Sequence, residues 1–167
     1  IMAKETINPD DYVIVRKRKR YRFAKFANAD NCFEFDDWLK DPPKQLDMIN
    51  DVCLEIGAGT GFFSVELAAR YPDKQFVALD VKADRLQRGA YDAIERSLKN
   101  VIFVRARADQ IDQLFPKKSL CMIWLTFADP YPRPRSARRR MTHPIYLEKY
   151  ASLLSNNGAF YCKHDSP

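Results

Sequence analysis

From Asp51 onward the apolar positions fall in short blocks separated by amphipathic stretches. Val52 to Ile56, Gln75 to Asp80, Val101 to Val104 and Leu120 to Phe127 are near-continuous apolar runs, the pattern of strands buried on both faces. Helical spacing fills the gaps: about 61–71, stopped by Pro72; about 83–98, with Leu86, Ala90, Ala93, Ile94 and Leu98 on one stripe; a short helix around 109–115 before Pro116; and about 143–154. Asn156-Asn-Gly158 then predicts a turn into a fifth strand, Ala159 to Lys163. Such alternation predicts an α/β fold, a mostly parallel twisted sheet with helices on both faces.

The first 50 residues read differently. Tyr12 to Val15 fits a short extended segment. Arg16-Lys-Arg-Lys-Arg20 continues to Arg22 and Lys25 with Tyr21, Phe23 and Phe26 interleaved. Such a stretch can stack on unpaired bases while its cations meet phosphates, or be a solvated tail whose aromatics dock on the core. Asn31 to Leu39 is acidic and aromatic, with Asp36 or Asp37 placed to cap a short helix. Asp41-Pro-Pro43 punctuates the chain. The expected division is a basic, aromatic arm and lead-in over 1–50 and one α/β domain over 51–167.

The first strand runs into Glu55-Ile-Gly57-Ala-Gly59-Thr-Gly61, immediately before a helix. Glycines let the backbone approach a ligand, and the helix start offers free N–H groups. The spacing is G-x-G-x-G, not the dinucleotide fingerprint G-x-G-x-x-G. Glu55 would repel a pyrophosphate but suits a ligand with a positive amine, such as the methionine end of S-adenosylmethionine. Asp80 closes the second strand, 23 residues after Gly57, where a carboxylate can accept from ribose hydroxyls. The competing reading is an ordinary strand–helix turn. Ligands of such sheets bind at the carboxyl ends of the strands. Five carboxylates are expected there: Glu55, Asp80, Asp109, Asp129 and Asp165. Asp109 is the one that most resembles a simple helix cap.

Composition narrows the picture. At 167 residues the chain has room for one domain with a substantial core, and no apolar run approaches a membrane span. No N-terminal signal pattern is seen; Met2 reads as a natural start with Ile1 added before it. A cytoplasmic protein is expected. Cys32, Cys53, Cys121 and Cys162 are scattered, and three of them fall in strand-like runs, which reads as buried, reduced thiols. With two histidines and no Cys-x-x-Cys pair, no metal site is expected. The net charge of +6 is modest, but it is concentrated in two blocks. The second places Arg133, Arg135, Arg138, Arg139 and Arg140 within eight residues. Two blocks in so small a domain suggest a polyanionic partner.

That second block follows Ala128-Asp-Pro-Tyr-Pro132. Three prolines (130, 132 and 134) stiffen the segment. Asp129 can accept from a guanine N–H edge, Tyr131 can stack, and the arginines can grip phosphates bidentately. Leu54-Glu-Ile-Gly-Ala-Gly-Thr-Gly61, Ala128-Asp-Pro-Tyr-Pro132, the arginine run with Thr142-His-Pro144, and Lys163-His-Asp165 together resemble the bacterial tRNA (guanine-N7)-methyltransferase family over roughly residues 50–165.

The resemblance implies a Rossmann-like class I fold and methyl transfer from S-adenosylmethionine to N7 of the variable-loop guanosine (position 46) of tRNA, with S-adenosylhomocysteine as the product. By resemblance Glu55, Gly57, Gly59, Gly61, Asp80, Asp109 and Asp129 line the methyl-donor site. Asp129 is the catalytic candidate. Arg133 stands where the family has a substrate-binding Lys, Arg135 to Arg140 touch the RNA, and Asp165 contacts the guanosine. The sequence departs from the family pattern at Ala128 (usually Pro), Tyr131 (Trp), Arg133-Pro134 (Lys-Lys) and His164 (Thr). The family also continues past the fifth strand with a terminal strand pair, which this sequence lacks. Alternative readings are a methyltransferase for another substrate, a nicotinamide-dependent oxidoreductase, and a non-catalytic RNA-binding domain of the same fold. Monomer and dimer are equally compatible with the pattern.

Overall fold

A computed structural model describes residues 4–46, 51–126 and 133–163. Its centre is a six-stranded sheet in the order β1-β4-β3-β2-β5-β6, with every pairing parallel. The strands are β1 (Cys32–Glu34), β2 (Val52–Ile56), β3 (Gln75–Asp80), β4 (Val101–Arg105), β5 (Leu120–Thr126) and β6 (Leu154–Lys163). The helices are α1 (Lys17–Asn28), α2 (Phe35–Lys40), α3 (Phe62–Arg70), α4 (Ala83–Glu95), α5 (Ile111–Leu114) and α6 (Pro144–Leu153).

Both faces of the central strands are covered, so alternate side chains feed two cores. Leu54, Ile56, Val77, Leu79, Ile102, Val104 and Ile123 pack with Trp38, Ile111, Tyr150 and Leu153. On the opposite face Cys53, Phe76, Ala78, Val101 and Phe103 pack with Phe26, Val65, Leu86 and Ala90. The central strands and α3, α4 and α6 lie where the sequence pattern places them.

Several local readings change. The basic block, expected as an arm, is a regular helix, α1. It buries Ala24 and Phe26, and the Tyr91 hydroxyl of α4 donates to the Lys25 carbonyl at 3.1 Å. Next, Cys32–Glu34 is a sixth strand, in register with Phe103–Arg105, so an edge of the sheet comes from upstream of Asp51. Asp36 and Asp37 lie in the first turn of α2 instead of capping it, where their charge favours the positive helix end. Trp38 from α2 is fully buried, edge-on to Phe33 and Phe115, with its indole N–H donating to the Leu114 carbonyl.

Helix α4 stops at Glu95. Ser97 takes φ +55°, its N–H reaches the Ile94 carbonyl, and the Leu98 N–H reaches the Ala93 carbonyl. This is a Schellman ending with serine in the left-handed place. It leaves Ile94 about half exposed, and the buried stripe is Ala83, Leu86, Ala90 and Ala93. The turn expected at Asn156-Asn-Gly158 is instead a break in register inside β6: Leu120 pairs with Leu154, but Met122 with Ala159. Tyr12 to Val15 forms no strand, and Val13 and Val15 are fully exposed.

Candidate functional site

At the carboxyl ends of β2 and β3 the chain encloses a cavity of about 530 Å³. Its floor begins with Glu55. This carboxylate is 3% exposed, and its two oxygens accept from different elements: Oε1 from the Ser64 hydroxyl of α3 at 2.8 Å, Oε2 from the Thr126 hydroxyl of β5 at 2.5 Å. Burial pushes its pKa up, the two hydroxyls oppose that shift, and the nearby Asp80 charge adds to it. A cationic group entering the cavity would favour the ionised form. Each oxygen keeps a second lone pair for such a donor.

After Ile56 the chain turns through Gly57, Gly59 and Gly61, all with positive φ (72°, 60° and 76°). At Gly61 conformation and space both exclude a side chain, since a Cβ would sit 2.6 Å from the Phe103 ring. Gly61 then occupies the N-cap of α3 with no side-chain cap, and the Ser64 N–H in the first turn also favours the ionised Glu55. Asp80 fixes the turn. Its Oδ2 accepts from the Gly59 N–H at 2.8 Å and its Oδ1 from the Lys82 N–H at 2.8 Å. The Ala58 N–H donates to the Leu79 carbonyl. Asp80 is thus both a wall of the cavity and the clasp that holds the glycine turn to β3.

The opposite wall comes from Ala106 and Ala108, small residues that present a flat apolar surface. Phe62 and Phe63 of α3, Thr126 and Met141 complete the lining. The arrangement has what a nucleoside carrying a cationic amino-acid arm needs: hydroxyl acceptors at Asp80, small apolar residues at Ala106 and Ala108, and a buried carboxylate at Glu55.

Of the residues singled out from sequence, Glu55, Gly57, Gly59 and Asp80 line this cavity, and Gly61 closes its turn. Asp109 is not among the lining residues. Its carboxylate accepts from the Arg107 side chain at 3.0 Å and its carbonyl from Lys149 at 2.7 Å. It braces the turn that carries Ala108, and it caps no helix. Asp129 and Asp165 lie outside the described residues. Arg133 precedes a 3-10 turn, Pro134–Arg139, on which Arg135, Arg138 and Arg139 are exposed. Arg140 ends the turn and leads directly into Met141 on the cavity wall. The Tyr150 hydroxyl holds the Met141 carbonyl at 2.9 Å, and His143 caps α6 by accepting from the Ile145 N–H. The arginine segment and the cavity therefore share a boundary.

Four contributors escape a sequence reading. Ser64 and Thr126 secure Glu55. Thr126 could have been found, as a polar residue at the carboxyl end of a strand. Met141 carries no signal of its own. Gly89, inside α4, lets that helix reach the glycine turn: a Cβ there would lie 2.2 Å from the Thr60 carbonyl oxygen. Among the described residues no group of three or more potential metal ligands occurs, and no helix is long and apolar enough to cross a membrane.

Comparison with known proteins agrees with this geometry. Residues 50–167 match a family model described as putative methyltransferase. The chain is 37% identical to a tRNA (guanine-N(7)-)-methyltransferase of Christiangramia forsetii, over 90% of the chain and 71% of that protein. It is 33% identical to the Bacteroides fragilis protein of the same name, over 90% of the chain and 63% of that protein. Among solved structures, an antibiotic-related methyltransferase superposes with a TM-score of 0.60 at 18% identity, covering 76% of this chain and 65% of the other. The antibiotic-resistance methyltransferase Kmr gives 0.57 at 20%, covering 77% and 69%. Those likenesses show the fold, a Rossmann-like parallel α/β sheet. The family model and the relatives' identity place this chain in the tRNA (guanine-N(7)-)-methyltransferase family.

Proposed function

We propose that this chain transfers a methyl group from S-adenosylmethionine to N7 of the variable-loop guanosine (position 46) of tRNA. The observation that supports this most is the shared boundary at Met141. A nucleoside-shaped cavity with Glu55 and Asp80 on one side adjoins a segment of exposed arginines on the other. The names of the relatives supply the substrate class.

When bound, S-adenosylmethionine supplies the methyl as a sulfonium electrophile. The chain's own residues bind and orient. Asp80 receives the ribose hydroxyls while holding the glycine turn, and Glu55 faces the cationic amine. Ala106 and Ala108 flank the base. Guanine N7 carries no proton, so no general base is required, and rate enhancement comes from alignment and electrostatics. Asp129, in this reading, orients the guanine edge and favours the cationic purine. Arg133, Arg135, Arg138, Arg139 and Arg140 hold the phosphates, and Asp165 contacts the guanosine. The basic face of α1 extends the polyanion surface. A tRNA substrate makes the cytoplasm the proposed compartment.

The test is methyl transfer from labelled donor to two unmodified tRNA transcripts, one with guanosine and one with adenosine at the variable-loop position. Label in the first alone, released by cleavage at N7-methylguanosine, is the expected result. Label in both discards the position, and label in neither, with donor binding intact, discards the activity.

A further inference from the structure

Away from the cavity, near the amino ends of β2 and β5, lies a pair of thiols with no part in the chemistry above. Cys53 is the second residue of β2 and Cys121 the second of β5. Their sulfurs are 3.1 Å apart, within hydrogen-bonding distance. Cys53 is buried at 1% exposure, whereas Cys121 is partly open to solvent. The register of β2 against β5 shifts at this point, Val52 pairing with Leu120 and Cys53 with Met122, so Cys121 is the extra residue of a bulge beside Cys53. Closing the 3.1 Å between the sulfurs to the ~2.05 Å of a disulfide takes roughly 1 Å.

Electrostatics divides the pair. The contact with Cys53, in which either sulfur can donate, pulls the Cys121 thiol below its ordinary range, against the opposing effect of burial. The Lys74 ammonium adds to the lowering, and Asp51, its partner at 3.2 Å, opposes it. The same contact, with burial, pushes Cys53 up. Cys121 is the accessible nucleophile and Cys53 the protected second thiol, the division of labour of a reactive and a resolving cysteine.

We propose that Cys53 and Cys121 are a thiol–disulfide site that a low-molecular-weight disulfide oxidises to a reversible cross-link between β2 and β5. With glutathione disulfide the Cys121 thiolate attacks one sulfur, the S–S bond breaks, and one glutathione thiolate leaves. Cys53 then attacks the Cys121 sulfur of the mixed disulfide and expels the second glutathione. Two protein thiols are oxidised by two electrons, one disulfide is reduced, and the two thiol protons end on two glutathiones. The cross-link ties together the strands that carry Glu55 and Thr126, two and five residues further along.

The test uses the full chain carrying Cys162→Ser, because the exposed Cys162 would take up glutathione itself. After incubation with glutathione disulfide and removal of excess, intact mass should be two hydrogens lighter. Digestion without reductant should yield one peptide pair joined through Cys53 and Cys121, and dithiothreitol should restore the original mass. Adding Cys121→Ser should abolish the change, and Cys53→Ser should instead leave one glutathione held on Cys121. Retention of glutathione on Cys121 with Cys53 present, a linkage involving Cys32, or full alkylation of both thiols after the incubation would each overturn the proposal.

Discussion

Replacing Gly89 by Ala pits two effects of opposite sign against each other. Alanine is the better helix former by about 1 kcal/mol, so in an ordinary exposed helix the change would stabilise. Here the new methyl would lie 2.2 Å from the Thr60 carbonyl oxygen, 3.0 Å from the Phe103 ring and 3.2 Å from the Gly61 carbonyl carbon. Two of those three atoms are backbone of the glycine turn, so no rotamer relieves the contact. Either α4 backs away or the turn deforms, at a cost of about 2–3 kcal/mol for overpacking of this kind. The net expectation is a loss of about 1–2 kcal/mol. For a chain of this size that lowers the unfolding midpoint by roughly 2–8 °C. Because the turn moves, affinity for S-adenosylhomocysteine should fall as well, by about tenfold for each 1.4 kcal/mol lost at the cavity. Thermal unfolding and titration calorimetry read the two effects separately. Gly59→Ala is the comparison. Nothing lies within 4 Å of its Cβ, so its cost is only the left-handed backbone, about 1–2 kcal/mol. A Gly89→Ala chain more stable than the wild type would refute the reasoning, because propensity would then have outweighed contact.

Thr126→Val keeps the shape and removes one of the two hydroxyl donors to Glu55. It should cost about 1–3 kcal/mol near neutral pH. Burial already raises the folded pKa of Glu55, so that group's favourable contribution is present at acidic pH and is lost as pH rises through the folded value. Losing a donor to the charged form raises that value further, and urea unfolding should show a larger deficit at pH 8 than at pH 5. Asp80→Asn leaves one oxygen to serve two backbone N–H groups, and calorimetry should show at least a tenfold loss of S-adenosylhomocysteine affinity. Neutralising Arg135, Arg138 and Arg139 together should flatten the salt dependence of tRNA binding measured by anisotropy, with each lost phosphate contact reducing the logarithmic slope by about 0.7–0.9. An unchanged slope would remove this segment from the RNA surface.

The central sheet was legible because its strands are buried on both faces, which forces unbroken apolar runs such as Val101 to Val104. Glu55 and Asp80 were legible because they sit at strand ends beside glycines. α1 was hidden by its own charge: Arg16 to Arg22 crowd one end, and the face that packs on the domain amounts to little more than Phe23, Ala24 and Phe26. β1 spans three residues, too short for any alternation to register. Ile94 falls on the periodic stripe of α4, yet that helix ends before its side chain meets a neighbour. Asp109 has the right residue type one position beyond the lining Ala108, and only the turn geometry reveals that it points to Arg107.

The origin of β1 has a consequence for the order in which the chain assembles. Cys32 pairs with Phe103, so the edge strand can dock only after 71 further residues have been made and β4 has formed. Closing so long a loop is entropically slow compared with the nearer β2–β3 and β3–β4 pairings. During synthesis the basic segment of α1 emerges well before α4 and waits, cationic and without the α4 surface that receives Phe26 and Ala24. The edge strand then joins only after β2, β3 and β4 are in place, and hydrogen exchange should find the β1 amides opening at a lower free energy than those of β2 and β3.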